Sequence, residues 1–313
     1  MFNKVLIPVD RSEESRTILR WAIGLAKATN ADVTLLSAID TEDLRIVESG
    51  ARGEESPMAP DGVVGKIIAQ ATAELETEAE QLSGAGVNID VKVVAGPPAE
   101  MIVKEAEALG ADLIAMSTRR DSALARGILG SVTDRVLHST TIPLLILQPE
   151  DLTDEGVGSG FVQHIVVPLD GSALSETAVG PATELARATG AELVFIEVVK
   201  IPIYGMDMGG VGYGAVYAAE QLDTKLEEQT AAKYLQGFVE DAETFGLKAR
   251  AKVRVGNPSL QIVDEAASTE GSIIVMATHG AGGIKRWVVG SVTDKAIRSA
   301  HRPVLVIPPQ AGG

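Results

Sequence analysis

The sequence predicts an α/β protein made of two tandem, Rossmann-like sandwiches, each with a five-stranded parallel sheet. Three observations support this fold class. Short apolar segments alternate with amphipathic segments of helical period, the chain repeats itself once at a fixed spacing, and 45% of its 313 residues are hydrophobic against 22% charged. Such alternation is typical of a parallel sheet covered by helices on both faces, and the composition is sufficient to bury two cores.

The repeat becomes visible when the chain is compared with itself at a spacing of 160 residues (168 − 8 = 160). Matching residues occur in both halves, and one Gly-Ser-Val-Thr-Asp segment recurs unchanged. Internal similarity over this length predicts two similar domains. We place the first at residues 1–148 and the second at 161–313, joined by a polar, glycine-containing linker at 149–160. The matching positions include Pro8 with Pro168, Asp10 with Asp170, and Gly130 with Gly290.

Local periodicity predicts the individual strands and helices. The halves match least at 40–70 and 200–230, where the glycine-rich segment 204–214 predicts a loop. Residues 210–215 fit a dinucleotide-binding fingerprint, but they do not directly follow a strand, which favours the loop. The predicted strands of the first copy are 5–9, 32–38, 87–94, 113–116 and 144–147, and those of the second are 165–169, 193–198, 249–255, 273–276 and 304–307. The first helix predicted in the first copy begins at Ser12 or Ser15 and ends near residue 28. The other predicted helices are 63–82, 99–108 and 131–138.

The charge balance and the absence of cysteine exclude several classes of function. Lys and Arg number 27 while Asp and Glu number 43, and the net charge of -16 disfavours binding to nucleic acids and to anionic membranes. Without cysteine there is no disulfide framework, thiolate metal site or cysteine nucleophile. We find no signal peptide and no membrane-spanning stretch, and we expect a cytoplasmic protein. The four histidines are dispersed, so we predict no metal site.

The candidate site lies where the strands of each sheet end. Ligands of open parallel sheets bind beyond the carboxyl ends of the strands, at the point where the strand order reverses. In the second copy Asp170 ends the first strand, and Gly290-Ser291 begins the helix that follows the fourth strand. Unpaired amides at a helix start suit phosphate groups, and a carboxylate accepts hydrogen bonds from a sugar or a base. The same Gly-Ser pair is also typical of an ordinary helix N-cap.

This pattern resembles the universal stress protein family in its tandem two-domain form, and the resemblance covers both halves. The family's ATP-binding motif is Gly-x-x-Gly, nine residues, and then Gly-Ser or Gly-Thr. The second copy matches this motif except that Ala277 replaces the first glycine. The resemblance implies that the second domain binds ATP, with or without Mg²⁺. The residues implied are Pro168, Asp170, Val198, Met276, Ala277, Thr278, His279, Gly280, Gly290, Ser291, Val292 and Thr293.

The first copy departs further from the motif. Ser117 and Arg120 occupy the two glycine positions, although Gly130-Ser131 is retained. An arginine would block a position that requires positive φ or close phosphate approach, whereas arginine side chains can also bind an anion directly. We expect a degenerate, weaker site in this copy. Its residues would be Pro8, Asp10, Ala38, Met116, Ser117, Arg120, Gly130, Ser131, Val132 and Thr133.

The resemblance implies a cytoplasmic stress-response protein that binds an adenine nucleotide and acts as a regulator, with slow or no hydrolysis. No base is recognisable for Ser131 or Ser291, which argues against acyl transfer. We predict no catalytic residue and at most a weak ATPase. The alternative is a scaffold of the same family that acts through protein partners without a nucleotide. A nucleotidyl transferase is disfavoured because no His-x-x-His motif follows a strand. The resemblance also implies an intramolecular pseudo-dimer of the two domains, and it allows two chains to pair as a homodimer.

Overall fold

The structure is a computed structural model of the chain. It describes residues 2–10, 12–40, 62–82, 84, 86–118, 129–148, 161–200, 213–278 and 289–309. These residues form two compact units, the first extending to Phe161 and the second comprising Val162–Pro309. Each unit is a parallel sheet with helices packed against it, so the predicted fold class is confirmed.

The sheet of the first unit is built around β1, which pairs in parallel with β2 on one side and with β4 on the other. The strand order is β3-β2-β1-β4-β5. Apolar runs on the central strands are fully buried, as expected for a sheet covered on both faces. The described strands are β1 (Lys4–Pro8), β2 (Asp32–Ile39), β3 (Ile89–Ala95), β4 (Leu113–Ser117) and β5 (Leu144–Leu147). The described helices are α1 (Glu13–Thr29), α2 (Val63–Leu82), α3 (Pro98–Leu109) and α4 (Ser131–Ser139).

The second unit repeats this arrangement, with the order β10-β9-β6-β7-β8 and parallel pairing throughout. The described strands are β6 (His164–Pro168), β7 (Glu192–Val199), β8 (Ala249–Val255), β9 (Ser272–Ala277) and β10 (Val304–Ile307). The described helices are α5 (Ala173–Glu176), α6 (Val179–Thr189), α7 (Tyr213–Thr244), α8 (Pro258–Ala267) and α9 (Ser291–Ser299).

The strands predicted from periodicity are confirmed in both units, with ends displaced by at most two residues. The loop predicted for 204–214 is wrong at Tyr213 and Gly214, which already belong to α7, and its remaining residues lie outside the described chain. The segment that follows is rich in Ala, Glu, Gln and Leu, which favour helix, and the helix continues backwards into the glycine-rich segment.

Aromatic contacts add to cores that consist mainly of Val, Ile, Leu and Ala. In the second unit Phe195 of β7 lies 5.6 Å from Phe238 of α7, measured between ring centroids, and Tyr234 of the same helix meets Phe238 edge-on at 5.2 Å. In the first unit Trp21 of α1 packs edge-on against Phe161 at 5.1 Å. The contacts of Phe195 fix the long helix α7 over the face of the sheet that also carries Glu197.

The topology brings the carboxyl ends of β6, β7 and β9 to one edge of the second sheet. β6 pairs with both β7 and β9, so the strand order reverses beside β6. Backbone hydrogen bonds continue this pairing past the strands, from Leu169 N to Ile196 O at 2.8 Å and from Thr278 N to Ile307 O at 3.0 Å. The residues that follow each strand are therefore held in defined positions at the switch point, where open parallel sheets bind ligands.

Candidate functional site

The start of α9 offers backbone amides that the helix itself does not use. Gly290 is the N-cap residue, and the first helical hydrogen bond runs from Asp294 N to Gly290 O at 2.9 Å. No side chain caps this helix end. The amides of Ser291, Val292 and Thr293 precede the first helical donor, so they receive no acceptor from the helix. Their partial positive charge suits an anion.

Two hydrogen bonds fasten the start of α9 to the end of β9. Gly290 N donates to Thr278 O at 2.7 Å, and the buried Thr293 hydroxyl donates to Ala277 O at 2.9 Å. The predicted site residues Ala277, Thr278, Gly290 and Thr293 are thus brought together by the backbone. The Thr293 hydroxyl is already bonded to Ala277 O. Thr293 therefore contributes to the candidate site through its backbone amide and by holding the start of α9 in place.

Asp170 lies two residues beyond β6 in a tight turn. Its Oδ1 accepts hydrogen bonds from Ser172 N at 3.1 Å and from the Ser172 hydroxyl at 2.6 Å. Gly171 has a φ of 77°, in the left-handed region that favours glycine. Ser172 in turn caps α5 by accepting a hydrogen bond from Ser175 N at 3.1 Å. The turn therefore presents Asp170 as an exposed carboxylate with a defined orientation.

The remaining predicted residues of the second site line the strand ends. Pro168 is half-buried at the end of β6, and Val198 is half-buried near the end of β7. Met276 and Ala277 lie in β9 and are buried, with exposed fractions of 4% and 7%. His279 and Gly280 lie outside the described residues. The apolar strand ends stand beside Asp170, as a nucleoside site would require.

The first unit repeats the main elements of this geometry. The Thr133 hydroxyl donates to Ser117 O at 2.7 Å, and Asp134 N donates to Gly130 O at 2.8 Å at the uncapped start of α4. Ser12 N donates to Asp10 Oδ1 at 2.9 Å. Arg120 lies outside the described residues. The other predicted members occupy equivalent places: Pro8 ends β1, Ala38 lies in β2, Met116 lies in β4, and Ser131 and Val132 begin α4.

Comparison with known proteins identifies the family. The sequence profile described as "Universal stress protein family" matches twice, over residues 1–148 and 162–308. The chain belongs to this family. A universal stress protein of Mycolicibacterium smegmatis is 24% identical over 98% of this chain and 97% of its own length. One of Mycobacterium bovis is 26% identical, with 96% of each chain covered.

Solved structures place the same fold along the whole chain. A universal stress protein from Archaeoglobus fulgidus superposes with a TM-score of 0.68 at 24% identity, covering 98% of this chain and 99% of its own. The resemblance inferred from sequence is therefore confirmed, as is the tandem arrangement of two universal stress protein domains. The predicted boundaries of the domains and linker stay predictions, as do the roles of the site residues.

Sequence reasoning missed a group of side chains on α5, β7 and α7 of the second universal stress protein domain. The Tyr234 hydroxyl donates to Glu176 Oε1 at 2.9 Å. Burial, followed by this hydrogen bond and by the charges of Glu176, Glu197 and Asp170, raises the pKa of Tyr234. Burial first, and then the negative charge of Asp170, raises the pKa of Glu197. The available signal was Glu197 itself, a carboxyl in an otherwise apolar part of a buried strand.

The structure adds two findings about what the described residues contain. No helix in the described part of the chain is both long and apolar enough to cross a membrane. Among the same residues, no group of three or more His, Asp or Glu side chains is arranged to hold a metal ion. The cytoplasmic location expected from the sequence stays a prediction.

Proposed function

We propose that the second universal stress protein domain binds an adenine nucleotide, with ATP as the expected ligand. The observation that carries the proposal is the meeting of three kinds of group at one switch point. These are the exposed carboxylate of Asp170, the apolar ends of β7 and β9, and the uncapped amides at Ser291. A nucleotide has the complementary parts, namely hydroxyl and amine donors, an apolar base and anionic phosphates.

Each part of the nucleotide has a named partner in this proposal. Asp170 accepts a hydrogen bond from the ribose or the base, and Pro168, Val198 and Met276 provide apolar surface for adenine. The amides of Ser291 and Val292 bind phosphate oxygens. The family resemblance adds Gly280 and His279, which lie outside the described residues, to the phosphate contacts. Mg²⁺ would be held by the phosphates, since no described carboxylate cluster provides a metal site of its own.

The first domain is proposed to bind more weakly or not at all. Its amides at Ser131 and its carboxylate at Asp10 have the same backbone setting as in the second domain. Its sequence has Ser117 and Arg120 where the family motif has glycine, and a larger side chain hinders close approach of a phosphate.

We propose slow or absent hydrolysis, because the sequence offers no recognisable catalytic base beside the phosphate site. Among the described contacts no His, Asp or Glu side chain is bonded to the Ser291 hydroxyl, which argues against this serine as a nucleophile. A protein that holds ATP without turning it over is suited to regulation. We therefore propose a regulatory role in a stress response, in the cytoplasm. Within this family, one universal stress protein has been solved in complex with cAMP, but the proposal for this chain depends on its own residues.

The test is a matched pair of substitutions at the two helix starts, Gly290→Asp and Gly130→Asp. Aspartate is a favoured N-cap residue. Gly290 and Gly130 have φ values of -63° and -59°, which any residue adopts, so we expect both variants to keep the fold. The new carboxylate repels phosphate where the amides would bind it. We expect Gly290→Asp to weaken ATP binding at least tenfold, about 1.4 kcal/mol, and Gly130→Asp to change it little.

Isothermal titration calorimetry with ATP on the full chain measures both effects. Nucleotide released from the purified protein by acid and identified by chromatography gives an independent readout. No heat with millimolar ATP and no released nucleotide would overturn the proposal. Loss of binding in Gly130→Asp but not in Gly290→Asp would reverse the assignment of the domains.

A protein scaffold without nucleotide is the second candidate function. It is favoured by Ala277, which stands at the first glycine of the motif and is buried with an exposed fraction of 7%. The same Gly290→Asp variant distinguishes the two functions in cells. A stress phenotype that persists when ATP binding is lost supports the scaffold, and a phenotype lost together with ATP binding supports the nucleotide-dependent regulator.

A further inference from the structure

One carboxyl oxygen beside the second-domain site is buried without a hydrogen-bond partner. It is Oε2 of Glu197, the residue before Val198 in β7. The preceding residues of the strand, Phe195 and Ile196, are fully buried in the core. Glu197 as a whole is half-buried. An ionised carboxylate here loses hydration at Oε2 without replacement, and this favours the neutral acid.

Among the described residues, the groups of the loop after β6 and of α7 that face Glu197 do not offset a negative charge. Asp170, in the loop after β6, lies close enough for its charge to disfavour ionisation of Glu197. On α7, the Tyr234 hydroxyl is already engaged with Glu176 of α5. The other half-buried titratable residue in the described side chains of α7 is Glu228, which is also acidic.

The basic residues of the neighbouring strand β8 point to the opposite face. Val253 is the register partner of Glu197, and because side chains alternate along a strand, Lys252 and Arg254 face away from it. Both form ion pairs with Glu265 of α8, at 3.3 Å and 2.8 Å. No cation of this strand is therefore available to neutralise Glu197.

Asp170 and Glu197 thus form a pair of carboxyls with opposite environments. Asp170 is exposed and accepts two hydrogen bonds from Ser172, which stabilise its charged form. Glu197 has a buried oxygen and no such donor. When two neighbouring carboxyls differ in this way, the buried group holds a proton to higher pH than the solvated one.

We propose that Glu197 is a positioning residue of the second-domain nucleotide site, which takes up a proton when the nucleotide binds and so leaves Asp170 as the charged partner of the nucleoside. The inference rests on the proposed function, because it concerns the same site. A bound triphosphate brings negative charge to Ser291 and excludes water from the edge of the sheet, and both effects disfavour a second carboxylate. Since binding takes up a proton, affinity falls as the pH rises.

The first domain provides an internal contrast. The position equivalent to Glu197 is Ser37 of β2 (197 − 160 = 37), which pairs with Val93 as Glu197 pairs with Val253. A serine hydroxyl does not titrate in this range. Proton uptake is therefore a property of the second domain alone in this proposal.

The experiment measures ATP binding by calorimetry on the full chain, in EDTA, between pH 5.5 and 8.5 and in two buffers of different ionisation enthalpy. The wild type is compared with Glu197→Gln, a neutral isostere, and with Glu192→Gln as the matched control. Glu192 lies on the same strand but bonds Arg250, at 3.2 Å. The terminal phosphate of ATP also titrates, with a pKa of about 6, but it contributes equally to every variant.

We expect wild-type affinity to fall several-fold more than that of Glu197→Gln between the two ends of this pH range, with extra proton uptake per ATP in the wild type. The Glu192→Gln variant should match the wild type. Two results would overturn the inference: an unchanged pH profile in Glu197→Gln, or loss of ATP binding in that variant at every pH, which would make Glu197 a charged ligand.

A second measurement does not depend on any variant folding. The ¹³C chemical shift of the Glu197 carboxyl in the wild type reports its titration with and without ATP, and a higher pKa in the complex supports the inference while an equal one overturns it. If the wild type binds no ATP, the proposed function fails together with this inference. ATP binding with no difference in proton uptake overturns the inference alone.

Discussion

In each domain the helix between the third and fourth strands carries a buried glutamate, but the two glutamates are surrounded by different charges. Glu265 of α8 is 2% exposed and meets Arg250 Nη2 at 3.3 Å, Lys252 Nζ at 3.3 Å and Arg254 Nη2 at 2.8 Å. Its counterpart Glu105 of α3 is 8% exposed and forms an ion pair with Lys92. One fold therefore holds a buried acid in two electrostatic settings.

The difference arises from two positions on the edge strand. Asp90 and Val94 of β3 stand where β8 has Arg250 and Arg254, while the lysine is common to both. Burial alone would raise the pKa of Glu265, but the hydrogen bond from Arg254 and the charges of Lys252 and Arg250 outweigh it and lower that pKa. The second domain thus depends on one carboxylate to hold three cations together, whereas the first domain has a single pair.

The largest expected effect comes from neutralising this carboxylate. In Glu265→Gln three cations lose their common anion, and we expect a loss of about 2–4 kcal/mol in the free energy of unfolding of the second domain. Glu105→Gln should cost about 1 kcal/mol in the first, because its one partner is substantially exposed. Native-state hydrogen exchange followed by mass spectrometry resolves the domains separately. Equal losses in both domains would contradict the comparison.

Acid sharpens the same prediction. A lowered pKa in the folded state contributes stability that is present above the unfolded value, about 4.3 for glutamate, and is lost as the pH falls through the folded value. The difference in the free energy of unfolding between the wild type and Glu265→Gln should therefore shrink between about pH 5 and pH 3.

Lysine substitutions serve as the control, and with them the larger loss of stability should fall in the first domain. Lys92→Met removes the cation that Glu105 contacts, whereas Lys252→Met leaves two arginines at Glu265.

A smaller effect concerns the hydroxyl of Tyr234. In the first domain the equivalent position is Glu74 (234 − 160 = 74), so the hydrogen bond to Glu176 belongs to the second domain alone. Tyr234→Phe keeps the edge-on contact with Phe238 but leaves Glu176 without this donor. We expect a loss of about 1 kcal/mol, measured as faster hydrogen exchange in peptides of α5 and α7. Unchanged exchange in both helices would show that the bond contributes nothing.

Much of the fold was predictable because its signals are local. The strand from Val304 to Ile307 is a short apolar run whose bounds follow directly from composition, and the repeated Gly-Ser segment marked the start of both α4 and α9. The beginning of α7 was not predictable in the same way. Tyr213 and Gly214 have little helix preference of their own, and the helix extends into them from a favourable segment.

The charge pairs could not be read from the sequence because they depend on register. Arg250 and Glu265 lie 15 residues apart and meet only because α8 packs over β8. Glu197 was visible as an acid in an apolar run, but its nearness to Asp170 follows from the pairing of β6 with β7. Sequence reasoning thus predicted a candidate site at this edge of the sheet, which stays a prediction, and it missed the second carboxyl there.

The smallest expected effect is that of Glu197→Gln, which should stabilise the second domain. Glu265→Gln, the same change from glutamate to glutamine, should destabilise it. The raised pKa of Glu197 means that its contribution to stability is present below the unfolded value and is lost as the pH rises through the folded value. Glu197→Gln removes a partly buried charge that lacks a partner at Oε2. We expect this variant to stabilise the second domain by about 0.5 kcal/mol near pH 8, a figure reduced for partial exposure, and to have no effect below pH 4.

Urea unfolding measures these opposite effects in the wild type, Glu197→Gln and Glu265→Gln, near pH 8 and below pH 4. Hydrogen exchange assigns each effect to a domain. If both glutamine variants destabilised the second domain at pH 8, Glu197 would be stabilised as an anion, and the contrast between a solvated Asp170 and a Glu197 whose charge is disfavoured would be wrong. Opposite signs would show that the second domain contains two glutamates of opposite character. Glu265 is stabilised as an anion by the cations on one face of β8, and Glu197 is destabilised as an anion on the other face of the sheet.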